Sequence, residues 1–159
     1  MSDIYQQVRE ATSFPDPQQV FSLPLSSDMT SPQGVVLAAH LNPKMWTYVG
    51  EQLNGWITKE CIVLPLGDYK GLVQAGRKAT GLGRSLVNGV FILPLTKMYP
   101  PPGEHVTILC GDSKLTWRNK RGELCIPGAE SNQKTWRIVL LTEKQLAAMR
   151  CMWLLGATF

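Results

Sequence analysis

The sequence predicts an α+β domain: a central antiparallel β-sheet with the amino- and carboxy-terminal helices packed together on one face. Three observations predict it. Short apolar runs rich in β-branched residues recur through the middle of the chain, punctuated by Gly, Pro and Asn-Gly turn signals. Both ends carry apolar residues at spacings of three and four, the helical period. Strands this close together, joined by turns, favour antiparallel pairing, and helices at the ends then cover a face of the sheet.

Taken in order, residues 2–12 read as a helix, with Ser2 as a cap and Ile4, Tyr5 and Val8 on one face. Pro15 and Pro17 stop it. Val20 to Leu25 is a strand that Pro24 confines to an edge or a bulge. The turn residues 26–34 follow, and Gly34 to Leu41 completes a hairpin. Asn42 caps a helix with Pro43 at its first position, and the stripe Met45, Tyr48, Val49 and Leu53 carries it to about Trp56. Cys61 to Leu66 is strand-like. Residues 67–88, glycine-rich and basic, read as a long loop with one weak helical turn.

Asn88-Gly89 signals a turn, followed by a strand from Val90 to Leu95. Val106 to Cys110 is another strand, and 114–126 is a hairpin about Lys120-Arg121-Gly122. Trp136 to Leu141 is the last strand. Thr142 and Gln145 then form a capping box, and Leu146, Met149 and Trp153 share one face of a closing helix, with Gly156 as its terminator.

The whole chain, 1–159, fits one domain with a single sizeable core. A hydrophobic content of 44% is ordinary for a globular protein, and the apolar runs are far shorter than a membrane span. Asp3, Arg9 and Glu10, with no apolar stretch between them, do not read as a secretory signal, which predicts a cytoplasmic protein. Four cysteines without CxxC spacing read as reduced and buried. With only His40 and His105 to assist them, no metal site or cofactor is expected. The formal charge of +4 permits weak attraction to acidic proteins, phospholipid headgroups or nucleic acid and demands none of them.

No catalytic constellation emerges, so no catalytic residue is assigned. Gly81-Leu82-Gly83-Arg84-Ser85 lacks the Lys and hydroxyl of a phosphate-binding loop. Lys114, Arg118, Lys120 and Arg121 surround Trp117. Strand alternation puts Lys114, Thr116, Arg118 and Lys120 on one face and Leu115 and Trp117 on the other. That pattern suits either a solvated strand above a core Trp or a positive contact surface for an acidic partner. Tyr5, Trp153 and Phe159 either pack the terminal helices onto the sheet or form a stacking surface for a polyproline II ligand.

The order of these features resembles profilin. The matching stretches are Gly34-Val35-Val36-Leu37-Ala38-Ala39, the helix after it, Asn88-Gly89-Val90-Phe91-Ile92 with Thr96-Lys97, the closing strand Trp136 to Leu141 with its helix, and the terminal aromatic Phe159. The resemblance implies a cytoplasmic, cytoskeletal, non-enzymatic protein. It would bind monomeric actin and regulate filament assembly, with proline-rich ligands and phosphoinositides as further partners and nucleic acid not expected. By the same resemblance, Lys97, Arg118, Lys120 and Lys144 would face actin. Tyr5, Leu37, Trp153 and Phe159 would line the proline-rich site. The opening Ser2-Asp3-Ile4-Tyr5 lacks the family's early Trp, and Leu37 stands where an aromatic is usual. Set against the same family, 57–87 would be an insertion or loop region. The rival reading is a small basic RNA- or membrane-associated structural protein, such as a viral matrix or coat component.

Overall fold

The computed structural model describes residues 14–16, 19–25, 31–51, 53, 57–64, 71–111, 115–132, 134–149 and 151–157. Among these, nine strands form one sheet: β1 (Phe21–Leu25), β2 (Trp46–Tyr48), β3 (Ile57–Leu64), β4 (Arg84–Leu86), β5 (His105–Leu109), β6 (Trp117–Asn119), β7 (Leu124–Asn132), β8 (Trp136–Thr142) and β9 (Met152–Ala157). The order is β1-β3-β9-β5-β7-β6-β2, with β4 also paired to β9 and β8 to β7. Four α-helices accompany the sheet: α1 (Pro32–Ala38), α2 (Gly71–Gly81), α3 (Ile92–Met98) and α4 (Glu143–Ala147). The class is α+β with a large central sheet. Pairing is antiparallel throughout except between β5 and β9, which run parallel.

The sheet divides two cores, and side-chain alternation decides which core each residue joins. On β3, Cys61 and Val63 enter one core while Ile62 and Leu64 enter the other. On β9, Met152 and Leu154 join the first, and Trp153 and Leu155 the second. The first core is closed by Val35 and Val36 of α1 and by Ile92, Leu95 and Met98 of α3. The second is closed by Leu72, Ala75 and Ala79 of α2 and by Leu146 of α4.

The expected closing helix is the main correction. The capping box is present: Thr142 N–H donates to Gln145 Oε1 at 2.8 Å, and Gln145 N–H donates to Thr142 Oγ1 at 3.3 Å. The helix it starts is only five residues long, and the chain returns to the sheet as β9, between β3 on one side and β5 and β4 on the other. Cys151 to Leu155 are all buried, so this run is covered on both faces, which a helix on a sheet surface does not allow. Gly156 pairs with Cys61 and Ser85 instead of terminating a helix. The expected packing of two terminal helices therefore fails at the carboxy-terminal partner. The helix expected at 2–12 lies outside the described residues.

Four further segments differ from the expectation. The expected strand 34–41 is helix α1, opened by Pro32 at its first position. It closes in a Schellman motif, with Leu41 N–H on Val36 O and His40 N–H on Leu37 O. The expected helix from Pro43 stops after one 3₁₀ turn, Pro43–Met45, because Trp46, Thr47 and Tyr48 pair with β6. The expected strand 90–95 is a 3₁₀ turn, Gly89–Phe91, running into α3, with Asn88 Oδ1 accepting from Val90 N–H at 2.9 Å. Finally, the expected loop 67–88 contains α2, whose Leu72, Ala75 and Ala79 are buried at helical spacing.

Candidate cationic interface

Register places the predicted contact residues. Strand β7 spans about 27 Å end to end at the usual strand rise. At its first end, Arg118 on β6 pairs with Leu124, and Thr142 on β8 pairs with Cys125. Lys144, in the first turn of α4, follows Thr142 by two residues. On the other flank of β6, Trp46 pairs with Asn119, so Lys44 lies beyond it towards the β6–β7 turn. Lys44, Arg118, Lys120, Arg121 and Lys144 thus gather at one end of the sheet, all exposed. Lys114 lies outside the described residues.

The β6–β7 turn is locally specified. Asn119 Oδ1 accepts from Arg121 N–H at 2.9 Å and Glu123 N–H at 3.0 Å, and Gly122 adopts φ +82°. That left-handed position favours glycine, since a Cβ there crowds the following carbonyl. Below the turn, Trp117 is buried, and its indole N–H donates to Pro32 O at 3.2 Å. The Tyr48 ring packs on it tilted at 57°, with centroids 4.8 Å apart. Gly89 makes the fit possible, because a Cβ on it would lie 2.6 Å from the Trp117 ring. The sequence pattern holds from Trp117 onward, where Trp117 is core and Arg118 and Lys120 are exposed, and fails at Thr116, which is buried because the strand starts only at Trp117.

The remaining predicted residues do not join this end. Lys97 is exposed in the last turn of α3, where a cation complements the helix dipole, and it belongs to the opposite end of β7. There it lines an open groove of about 530 Å³ with Lys134 and Trp136. Of the four residues expected to bind actin, three share an end and Lys97 does not. The proline-site residues do not assemble. Trp153 is 1% exposed on the central strand and cannot offer its ring to a ligand at the surface. Leu37 is 58% exposed but sits on α1, not on a strand. Tyr5 and Phe159 lie outside the described residues.

The buried cysteines are free thiols. Burial pushes Cys61 up to about 12 against the opposing pull of Lys59 and Arg84, and pushes Cys125 and Cys151 up to about 11, aided by Glu123 and Glu130 respectively. Such thiols stay protonated at neutral pH, which is the inert state for nucleophilic chemistry. Among the described residues, no group of three His, Cys, Asp or Glu side chains is placed to hold a metal ion, and no helix is long and apolar enough to cross a membrane.

Sequence reasoning missed Lys44, Trp46 and Lys134. Lys44 and Trp46 were read into a helix, and nothing in the local sequence around Lys134 links it to Lys97. Comparison with known proteins returns no matching family model, no matching curated protein and no matching solved structure.

Proposed function

We propose that this chain is an RNA-binding protein rather than an enzyme, and that it grips the phosphate backbone with the cationic end of its sheet. One observation supports this reading above the others. Five cations from three separate chain stretches lie at one end of β7, all exposed, with Lys44 two residues before the partly exposed Trp46. A cluster of exposed basic side chains is the electrostatic footprint of phosphate contact. Trp46, paired with Asn119, stands on the Trp117 face of the sheet and Arg118 on the other. Two carboxylates are close by. Glu123 accepts from Asn119 Nδ2 at 3.0 Å, and Glu143 lies against the start of α2. The local balance stays positive.

The test is fluorescence anisotropy of a labelled RNA oligonucleotide across a salt series. Affinity falls steeply with salt, and Lys120→Glu with Arg121→Glu weakens binding about tenfold or more and flattens the salt slope by about two. Absent binding, or binding indifferent to salt, overturns the reading. Binding of the same variant-sensitive kind to anionic vesicles alone reassigns the end to a lipid surface.

A second reading, monomeric actin as the acidic partner, draws on the profilin resemblance and on Arg118, Lys120 and Lys144 sharing an end. An effect on actin polymerisation that Lys120→Glu abolishes supports it, and no effect removes it.

A further inference from the structure

The opposite end of β7 carries a differently shaped cationic site. The groove there is bounded by Lys97 from α3, Tyr99 and Pro100 from the segment after it, Lys134 and Thr135 from the β7–β8 connection, and Trp136 at the start of β8. Among the described residues that line it, none is acidic. Its volume, about 530 Å³, falls within the range of small-molecule sites. Trp136 is partly exposed, and its ring is fixed in place. The indole N–H donates to Tyr99 O at 2.9 Å, and Phe14 packs against it at 5.7 Å between centroids. The Tyr99 hydroxyl in turn donates to Ser22 O at 3.3 Å. The turn beside it is equally pinned: Asn132 Oδ1 accepts from Thr135 N–H at 2.9 Å and Thr135 Oγ1 at 2.8 Å.

We propose that this groove binds one nucleotide, its base against the exposed part of Trp136 and its phosphate between Lys97 and Lys134. The ring is preorganised, so stacking on it costs little ordering entropy. The indole N–H is already satisfied, so the ring offers an apolar surface that accepts any base, as in single-strand platforms. Two lysines, from a helix end and from a turn, give a phosphate its charge without a competing carboxylate. By contrast, the cleft lined by His105, Thr107, Glu130 and Arg137 holds a Glu130–Arg137 ion pair at 3.8 Å, and its charge is largely cancelled.

This proposal deepens the RNA reading: it makes the preferred strand single, since a base inside a duplex cannot reach Trp136. The experiment is calorimetric titration of the full chain with adenosine monophosphate and, separately, with inorganic phosphate, alongside single-stranded and duplex RNA. Adenosine monophosphate is expected to bind more tightly than inorganic phosphate. Lys97→Glu with Lys134→Glu lowers its affinity about tenfold or more, while Lys120→Glu with Arg121→Glu leaves it unchanged. Both pairs are exposed; Lys97→Glu sets a carboxylate against the end of the α3 dipole and lowers the melt slightly, so Lys97→Gln with Lys134→Gln is run beside it to separate lost charge from lost stability. Phosphate binding as tight as the nucleotide, or nucleotide binding indifferent to the Lys97 and Lys134 reversals, overturns the proposal. RNA binding lost in the Lys120 and Arg121 variant with no nucleotide binding in the parent overturns this inference alone. Nucleotide binding with no RNA binding supports the groove and removes the RNA reading.

Discussion

The two ends of β7 use the same local device and arrive at opposite surfaces. At one end Asn119 Oδ1 gathers the N–H groups of Arg121 and Glu123; at the other Asn132 Oδ1 gathers those of Lys134 and Thr135. Both are Asn-led turns flanked by cations. The first becomes an exposed cationic tip, with β2 continuing the sheet beside it and Trp117 buried beneath. The second becomes a concave groove, because α3 and the proline segment after it stand against Trp136. Turn chemistry sets the local backbone, and the neighbours decide whether it is tip or groove.

Four substitutions sharpen that contrast. Trp117→Ala removes a fully buried ring from under the tip and is expected to cost about 3–5 kcal/mol, read as a drop in the urea midpoint. Trp136→Ala, under the groove, costs less, about 2 kcal/mol, since part of that ring is already in water. A larger loss at Trp136 than at Trp117 would reverse the ranking of the two ends. Gly122→Ala strains the tip alone: a left-handed Ala costs about 1–2 kcal/mol, and RNA affinity falls with the displaced turn while nucleotide binding in the groove is unchanged. Smallest is Thr142→Ala, which removes the cap of α4 below Lys144 and costs about 1 kcal/mol by thermal melting. An unchanged melt would show that the bond from Gln145 N–H to Thr142 Oγ1 contributes nothing net.

How far the chemistry was legible follows the same division. The tip could be read from the sequence, because Lys120-Arg121-Gly122 is a turn in its own right and alternation puts Trp117 and Arg118 on opposite faces. The groove could not, because Lys97 and Lys134 come to line one surface only when α3 packs beside the β7–β8 connection. The apolar runs show the limit most clearly. Val90–Leu95 and Cys151–Leu155 are both short, continuous and flanked by turn residues, and each took the structure expected of the other. A run of that length does not distinguish a strand buried on both faces from a buried helical segment.

Caps, turns and alternation were therefore set by the sequence itself: the Thr142 and Gln145 box, the Asn42 cap, the Gly122 turn and the core position of Trp117. These depend on hydrogen bonds and dihedral preferences within a few residues. The tertiary structure alone decided that the last described segment lies in the middle of the sheet, that residues 32–38 coil rather than extend, and that Lys97 and Lys134 share a groove. Each of those outcomes is fixed by which distant surfaces are buried together, and burial of apolar area outweighs local propensity wherever the two disagree.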